Sequence, residues 1–138
     1  MCAAVLSGCS TPCESVCSNY NTCTIEQRDH KIDCGTFCGR EQQFEETAAK
    51  TGADACKKEF DAHISCWQTN IGEVCNAESM KCEESATAWT DCMAKFCAVS
   101  HTEKDSDGMD KTVYDHEQDQ ACVPQDKGEP PLPALSGF

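Results

Sequence analysis

Positive charge is scarce in this chain. Eleven Lys and Arg stand against 24 Asp and Glu, a formal net charge of −13. Phosphate backbones and anionic bilayers repel such a surface, which argues against nucleic acid and charged membrane faces as partners; weak binding of cations is compatible with it. Core-forming residues are scarce too: five Phe, two Trp, two Tyr and four Met among 138 residues, with few Leu, Ile or Val. So thin a supply does not comfortably offset the ordering entropy of a folded domain. No run approaches the roughly 18 apolar residues of a membrane span. Cys-x2-Cys and Cys-x-x-Cys-His are absent and the four His have no ligand spacing, so structural zinc, c-type haem and thioredoxin-like chemistry lack their motifs. A phosphate loop and a Ser/His/Asp order are missing as well. With 24 acids, chance carboxylate pairs carry no weight. The expectation is a protein that is not an enzyme, with no catalytic residues and no required cofactor.

Sulfur is what the chain has in quantity. Fourteen cysteines are about a tenth of its length, a proportion typical of disulfide scaffolds. Crosslinks of roughly 2–4 kcal/mol each would supplement the thin core. They imply an oxidising compartment: outside the cell, the periplasm or the mitochondrial intermembrane space.

The polar and apolar steps predict helices. Thr11-Pro12-Cys13-Glu14 is a capping box with proline in the first turn, and Cys13, Cys17 and Tyr20 share the face that follows. Asp33 caps a second helix running to about Lys50, with Cys34, Phe37, Cys38, Phe44 and Ala48 on its apolar side and Gly52 as its stop. Asp54 caps a third helix carrying Cys56, Phe60, His63 and Trp67 at steps of four, three and four. Asn76 or Ser79 opens a fourth, with Cys82, Ala86, Trp89, Met93 and Phe96 at the same steps. A shift of 26 residues lays CKKEFDAHISC (56–66) on CEESATAWTDC (82–92), matching both cysteines and Ala62 with Ala88. Two copies are too few for a solenoid, so the repeat reads as a helical hairpin. His63, on the stripe beside Trp67, reads as a packed side chain.

Antiparallel packing then sets the pairing. Facing Cys-x3-Cys pairs put Cys13 beside Cys38 and Cys17 beside Cys34. Facing Cys-x9-Cys pairs put Cys56 beside Cys92 and Cys66 beside Cys82, since ten residues carry the second sulfur about 15 Å along a helix and about 80° around it. Cys23, Cys75, Cys97 and Cys122 remain, and four cysteines allow three pairings. From His101 the stripe stops, and residues 101–138 read as an irregular acidic, proline-rich tail, anchored if Cys122 is bridged and loose after Pro124.

The twin Cys-x3-Cys spacing over 13–38 resembles that of small Tim chaperones and plant α-hairpinins. The twin Cys-x9-Cys spacing over 56–92 resembles that of coiled-coil-helix-coiled-coil-helix proteins of the intermembrane space. The whole pattern, with its "C…FDA…C" helical unit, resembles the cysteine-rich lipoproteins of myxobacteria, and that resemblance implies a location rather than an activity. Leu6-Ser7-Gly8-Cys9 fits the lipobox at which lipoprotein signal peptidases cut, which would make Cys9 a lipidated N-terminus. Setting Cys2 and Cys9 aside leaves twelve cysteines, an even number. Only eight residues precede Cys9, without a basic n-region, so a signal peptide would need a start upstream of Met1. On the alternative reading the match is chance and Cys9 is one more helical cysteine.

Two metal readings compete with the staples. Cys9, Cys13 and Cys17 facing Cys34 and Cys38 could hold Cu(I) on thiolates, an arrangement similar to copper-storage bundles. Glu103, Asp105 and Asp107, with Gly108, match the opening of an EF-hand loop and make calcium a candidate. However, Tyr114 stands where a bidentate Glu belongs and Asp110 where an aliphatic residue belongs; an acidic solvated turn is the simpler reading.

The expected architecture is therefore all-α: a signal remnant or arm at 1–10, a cysteine-rich domain at 11–100 built from two stapled antiparallel hairpins (11–50 and 54–99), and the tail. The leading expectation for function is an exported structural or interaction protein with a protein partner, touching a membrane only through a lipid anchor at Cys9. It would sit outside the cell, in the periplasm or on the outer membrane. The alternatives are an intermembrane-space assembly or complex subunit and a Cu(I) store.

Overall fold

A computed structural model describes residues 10–28, 30–126 and 128–134. Helix α1 (Pro12–Tyr20) begins as its capping box dictates. Thr11 Oγ1 accepts from the Glu14 amide at 3.2 Å, and the Thr11 amide donates to Glu14 Oε2 at 3.2 Å. Helix α2 (Cys34–Thr51) starts at Asp33, whose carboxylate accepts from the Thr36 amide at 3.0 Å; that bond holds the Asp33 pKa below its usual range. The helix stops at Gly52, which takes the left-handed conformation at φ 74° that closes a helix C-terminus and disfavours any side chain.

The last two helices begin later than expected. Asp54 does not cap α3 (Lys57–Thr69); its Oδ1 accepts from the Cys56 amide at 2.9 Å in a local turn, and Cys56 itself is the N-cap at φ 54°. Helix α4 (Glu83–Cys97) follows Cys82 instead of Asn76 or Ser79. Those two side chains bind amides two residues on, at Glu78 (3.1 Å) and Lys81 (3.4 Å), and so hold turns that delay the helix. A 3-10 turn, Ile71–Glu73, lies in the same connection.

The staples occupy the registers that antiparallel packing predicts. Cys13–Cys38 and Cys17–Cys34 join α1 to α2, and Cys56–Cys92 and Cys66–Cys82 join α3 to α4, with Cα separations of 5.6–6.0 Å. The 26-residue repeat becomes a local pseudo-twofold, because exchanging the two copies turns one α3–α4 bridge into the other. Near its axis the equivalent positions His63 and Trp89 stack, with centroids 5.7 Å apart and planes 20° apart. Of the three pairings open to the remaining cysteines, the fold contains Cys23–Cys75 and Cys97–Cys122. Cys23–Cys75 locks the α1–α2 connection to the α3–α4 connection. Arg28 reinforces the junction, donating from Nε and Nη2 to the Val74 carbonyl at 3.1 and 2.9 Å while its guanidinium lies over the Tyr20 ring.

The all-α expectation, with its irregular tail, is overturned by two small antiparallel sheets. Strands β1 (Ser100–Lys104) and β2 (Asp110–Tyr114) pair from Ser100–Tyr114 to Lys104–Asp110. Strands β3 (Cys122–Val123) and β4 (Leu132–Pro133) pair Cys122 with Pro133 and Val123 with Leu132. In β1 and β2 both faces are largely exposed, so the alternation that marks a half-buried strand never arises. Cross-strand charge holds them instead: Glu103 faces Lys111, and Lys104 forms an ion pair with Asp110. The Cys97–Cys122 bond and the packing of β4 on α4 tie the tail to the helices.

A single apolar cluster threads the helices. Phe44 of α2 meets Phe96 of α4 edge-on at 4.7 Å, and Phe60 of α3 lies 5.2 Å from Trp89. His116, following β2, stacks on Phe96 with ring centroids 3.8 Å apart.

Candidate functional site

The apolar stripe of α2 contains an acid. Phe37, Glu41, Phe44 and Ala48 follow steps of four, three and four, the same as the α3 stripe, and the carboxylate takes a core position. Glu41 is 6% exposed. Its Oε1 has no hydrogen-bond partner, and neither does the buried indole Nε1 of Trp89. Burial pushes the Glu41 pKa up to about 7, and the negative charge of Glu45 adds to the shift; the Trp89 indole opposes it and Asp61 reinforces it. The indole N–H is thus near enough to favour the carboxylate, although the two groups do not form a well-aligned hydrogen bond.

Glu41 stands between two clefts. One, of about 380 Å³, lies among α2, α4 and the tail; Phe37, Phe44, Trp89 and Met93 form its apolar wall and Ala121 and Ala134 its tail side. Arg40, Lys50, Glu46 and Asp119 supply its charged rim. The other, of about 580 Å³, lies among α1, α2 and α3 and includes Glu45 and the Lys57–Asp61 ion pair at 2.8 Å. Glu45 is itself shifted up by burial, with Lys57 opposing. Both clefts fall within the size range of small-molecule sites, about 300–1,000 Å³; the first combines an apolar wall with a larger share of polar and charged residues, Gln43, Thr47 and Gln120 among them. Sequence reasoning passed over Glu41 because it stands among the polar residues Arg40, Gln42 and Gln43. The available signal was its place on the stripe.

A second polar pair lies deeper. His63, 1% exposed, meets Ser85 Oγ through Nδ1 at 3.0 Å. Ser85 Oγ donates its one hydrogen to the Cys82 carbonyl at 3.0 Å, so it accepts from His63 and is not activated as a nucleophile. The pair is a packing device within the α3–α4 hairpin.

The residues singled out for calcium are brought to a hairpin turn. Glu103 is in β1 and accepts from His101 Nε2 at 2.7 Å. Asp105 Oδ1 accepts from the Asp107 and Met109 amides, each at 2.9 Å, and Gly108 takes φ 76° in the same turn. The flanking elements are strands, whereas an EF-hand loop lies between helices. Among the described residues one group of three ligand atoms lies within 4.8 Å, from Asp54, Cys56 and Cys92, and its two sulfurs are joined to each other. All twelve described cysteines, Cys13, Cys17, Cys34 and Cys38 included, are in disulfides. None offers a thiolate while those bonds are intact. Cys9, the candidate for lipid or for the Cu(I) ladder, lies outside the described residues. Among the described residues no helix is long and apolar enough to cross a membrane.

Compared with known protein families, with curated proteins and with solved structures, the chain matches none of them.

Proposed function

We propose that this chain is an exported, non-enzymatic interaction protein whose disulfide-stapled helical frame presents a binding cleft. Disulfides this dense belong to an oxidising environment, and that is the observation that carries the reading: six bonds among the described residues, two in each helical hairpin, one between the two inter-helix connections and one from α4 to the tail. The Leu6-Ser7-Gly8-Cys9 segment favours lipid attachment at Cys9 on a cell surface or in a periplasm. The doubly bridged α3–α4 hairpin supports a second reading, an intermembrane-space assembly or complex subunit. The Cu(I) store is disfavoured, because its ligands would have to be reduced.

Intact mass before and after reduction, on protein purified from its native compartment, tests this. An exported lipoprotein gains two hydrogens per disulfide on reduction and carries an acyl mass on a fragment beginning at Cys9. An unmodified N-terminus with the same disulfides favours the second reading. Abundant free thiols in the native protein would overturn both.

A further inference from the structure

We propose that the cleft among α2, α4 and the tail binds a small lipophilic amine whose ammonium pairs with Glu41 and whose neighbouring hydroxyl or carbonyl oxygen accepts from the Trp89 indole N–H. Three features define this ligand. The first is the pair of orphaned polar atoms, an acceptor on Glu41 and a donor on Trp89, both buried at the same cleft. Neither makes a well-formed hydrogen bond, the indole only favouring the carboxylate from nearby, and a buried polar group left so is costly, so a ligand that bonds both gains more than contact area alone would give. The second is the wall. The aromatic side chains of Phe37, Phe44 and Trp89 supply apolar surface to receive an apolar body. The third is charge. Glu45 and Asp61 act on Glu41 with the sign that attracts a cation, within a chain of net charge −13. The basic groups at this cleft, Arg40 and Lys50, are exposed at the rim, and Glu46 and Asp119 share the rim with them. Among the described residues no buried cation competes there for the carboxylate.

Binding is coupled to one proton. With the cleft empty, burial and the nearby acids favour neutral Glu41. An ammonium favours the carboxylate, so the carboxyl proton leaves to solvent as the ion pair forms, and the amine keeps its own. Affinity therefore rises with pH, by up to tenfold per unit below neutrality, and levels off above it.

The site goes beyond the exported-protein reading and stands without it: the mass experiment can fail while the amine still binds. The test is calorimetric titration of the oxidised chain with 2-amino-1-phenylethanol, with phenethylamine (no hydroxyl) and with 1-phenyl-1,2-ethanediol (no charge). Saturable binding of the amino alcohol is expected, weakened at least tenfold by Glu41→Gln and weakened for the diol to a similar degree. Trp89→Phe should remove the advantage of the amino alcohol over phenethylamine and spare phenethylamine itself. Titration at pH 6 in buffers of different ionisation enthalpy should report nearly one proton released per ligand. Absence of saturable binding at millimolar ligand, a Glu41→Gln protein that binds equally well, or a diol that binds as tightly as the amine would overturn the proposal.

Discussion

Replacing Glu41 by glutamine should make the protein more stable at alkaline pH and leave it nearly unchanged in acid. The sign follows from the direction of the shift. The Glu41 carboxyl has a pKa of about 7 in the fold against an ordinary value of 4.5. Below pH 4.5 the folded and unfolded chains both hold the proton, and stability is complete. Between 4.5 and 7 the unfolded chain releases it and the folded chain does not, so stability falls. Above 7 both are ionised and the loss is constant. At about 1.4 kcal/mol for each tenfold difference in proton affinity, the loss is roughly 3 kcal/mol. Asp33, whose pKa is lowered, and Glu45 and His101, whose pKa values are raised, also tilt the profile. They remain in the variant, so the difference between the two proteins isolates Glu41. Gln keeps the side chain's shape and cannot ionise. Urea unfolding followed by circular dichroism without reductant, at pH 4, 6 and 8.5, provides the comparison. The two stabilities should converge at pH 4 and separate in favour of Gln by pH 8.5. Parallel profiles, within about 0.5 kcal/mol at every pH, would show that Glu41 is solvated or partnered in solution and would refute the buried-acid argument.

The remaining predictions concern the frame. The double substitution Cys23→Ser, Cys75→Ser opens the longest loop among the described bridges, with partners 52 residues apart, and should lower stability by roughly 4 kcal/mol on the chain-entropy model; a loss under 1 kcal/mol in guanidinium unfolding would mean that Arg28 and packing suffice. His101 donates to Glu103 and Asp115, which raise its pKa. The β1–β2 hairpin should therefore be best protected below the ordinary histidine pKa and lose protection as pH rises through the raised value, while His101→Gln flattens the profile in amide exchange at Thr102 and Thr112. Gly52→Ala should lower stability by about 1 kcal/mol because φ is 74° there. Gly39→Ala, within α2 and open to space, should raise it by about 0.5–1 kcal/mol; thermal melting of the pair compares the two, and equal effects would count against the Gly52 cap.

The helices and their four bridges were legible because two periodicities agree. The steps of three and four set each buried face, and the cysteine spacings within those faces admit a single antiparallel register. Cys23, Cys75, Cys97 and Cys122 lie at or beyond helix ends, where no period constrains them, so their pairing needed the tertiary arrangement. The β1–β2 sheet was hidden for another reason. Its strands are largely exposed and carry no apolar alternation, and its turn mimics the start of a calcium loop. The stronger signal was symmetry about Asp-Ser-Asp-Gly: Lys104 with Asp110, Glu103 with Lys111 and Thr102 with Thr112 are complementary pairs around a turn with glycine at its left-handed position. The cleft was the least legible feature, since it is made by three elements distant in sequence.

The frame and the cleft share one cause. A chain with this few aliphatic residues builds its core largely from aromatic side chains and cystines, and disulfides hold the helices together near their ends. Cys56–Cys92 and Cys66–Cys82 fix α3 against α4 near each end, and Cys97–Cys122 ties down the tail that contributes Asp119, Gln120, Ala121 and Ala134 to the cleft. An ionised, unpartnered acid costing roughly 3 kcal/mol would consume much of the 5–15 kcal/mol that keeps an ordinary domain folded. The six crosslinks among the described residues, each raising the free energy of the unfolded chain by roughly 2–4 kcal/mol, offset that loss several times over. Glu41 can therefore sit where a stable core would normally place Leu.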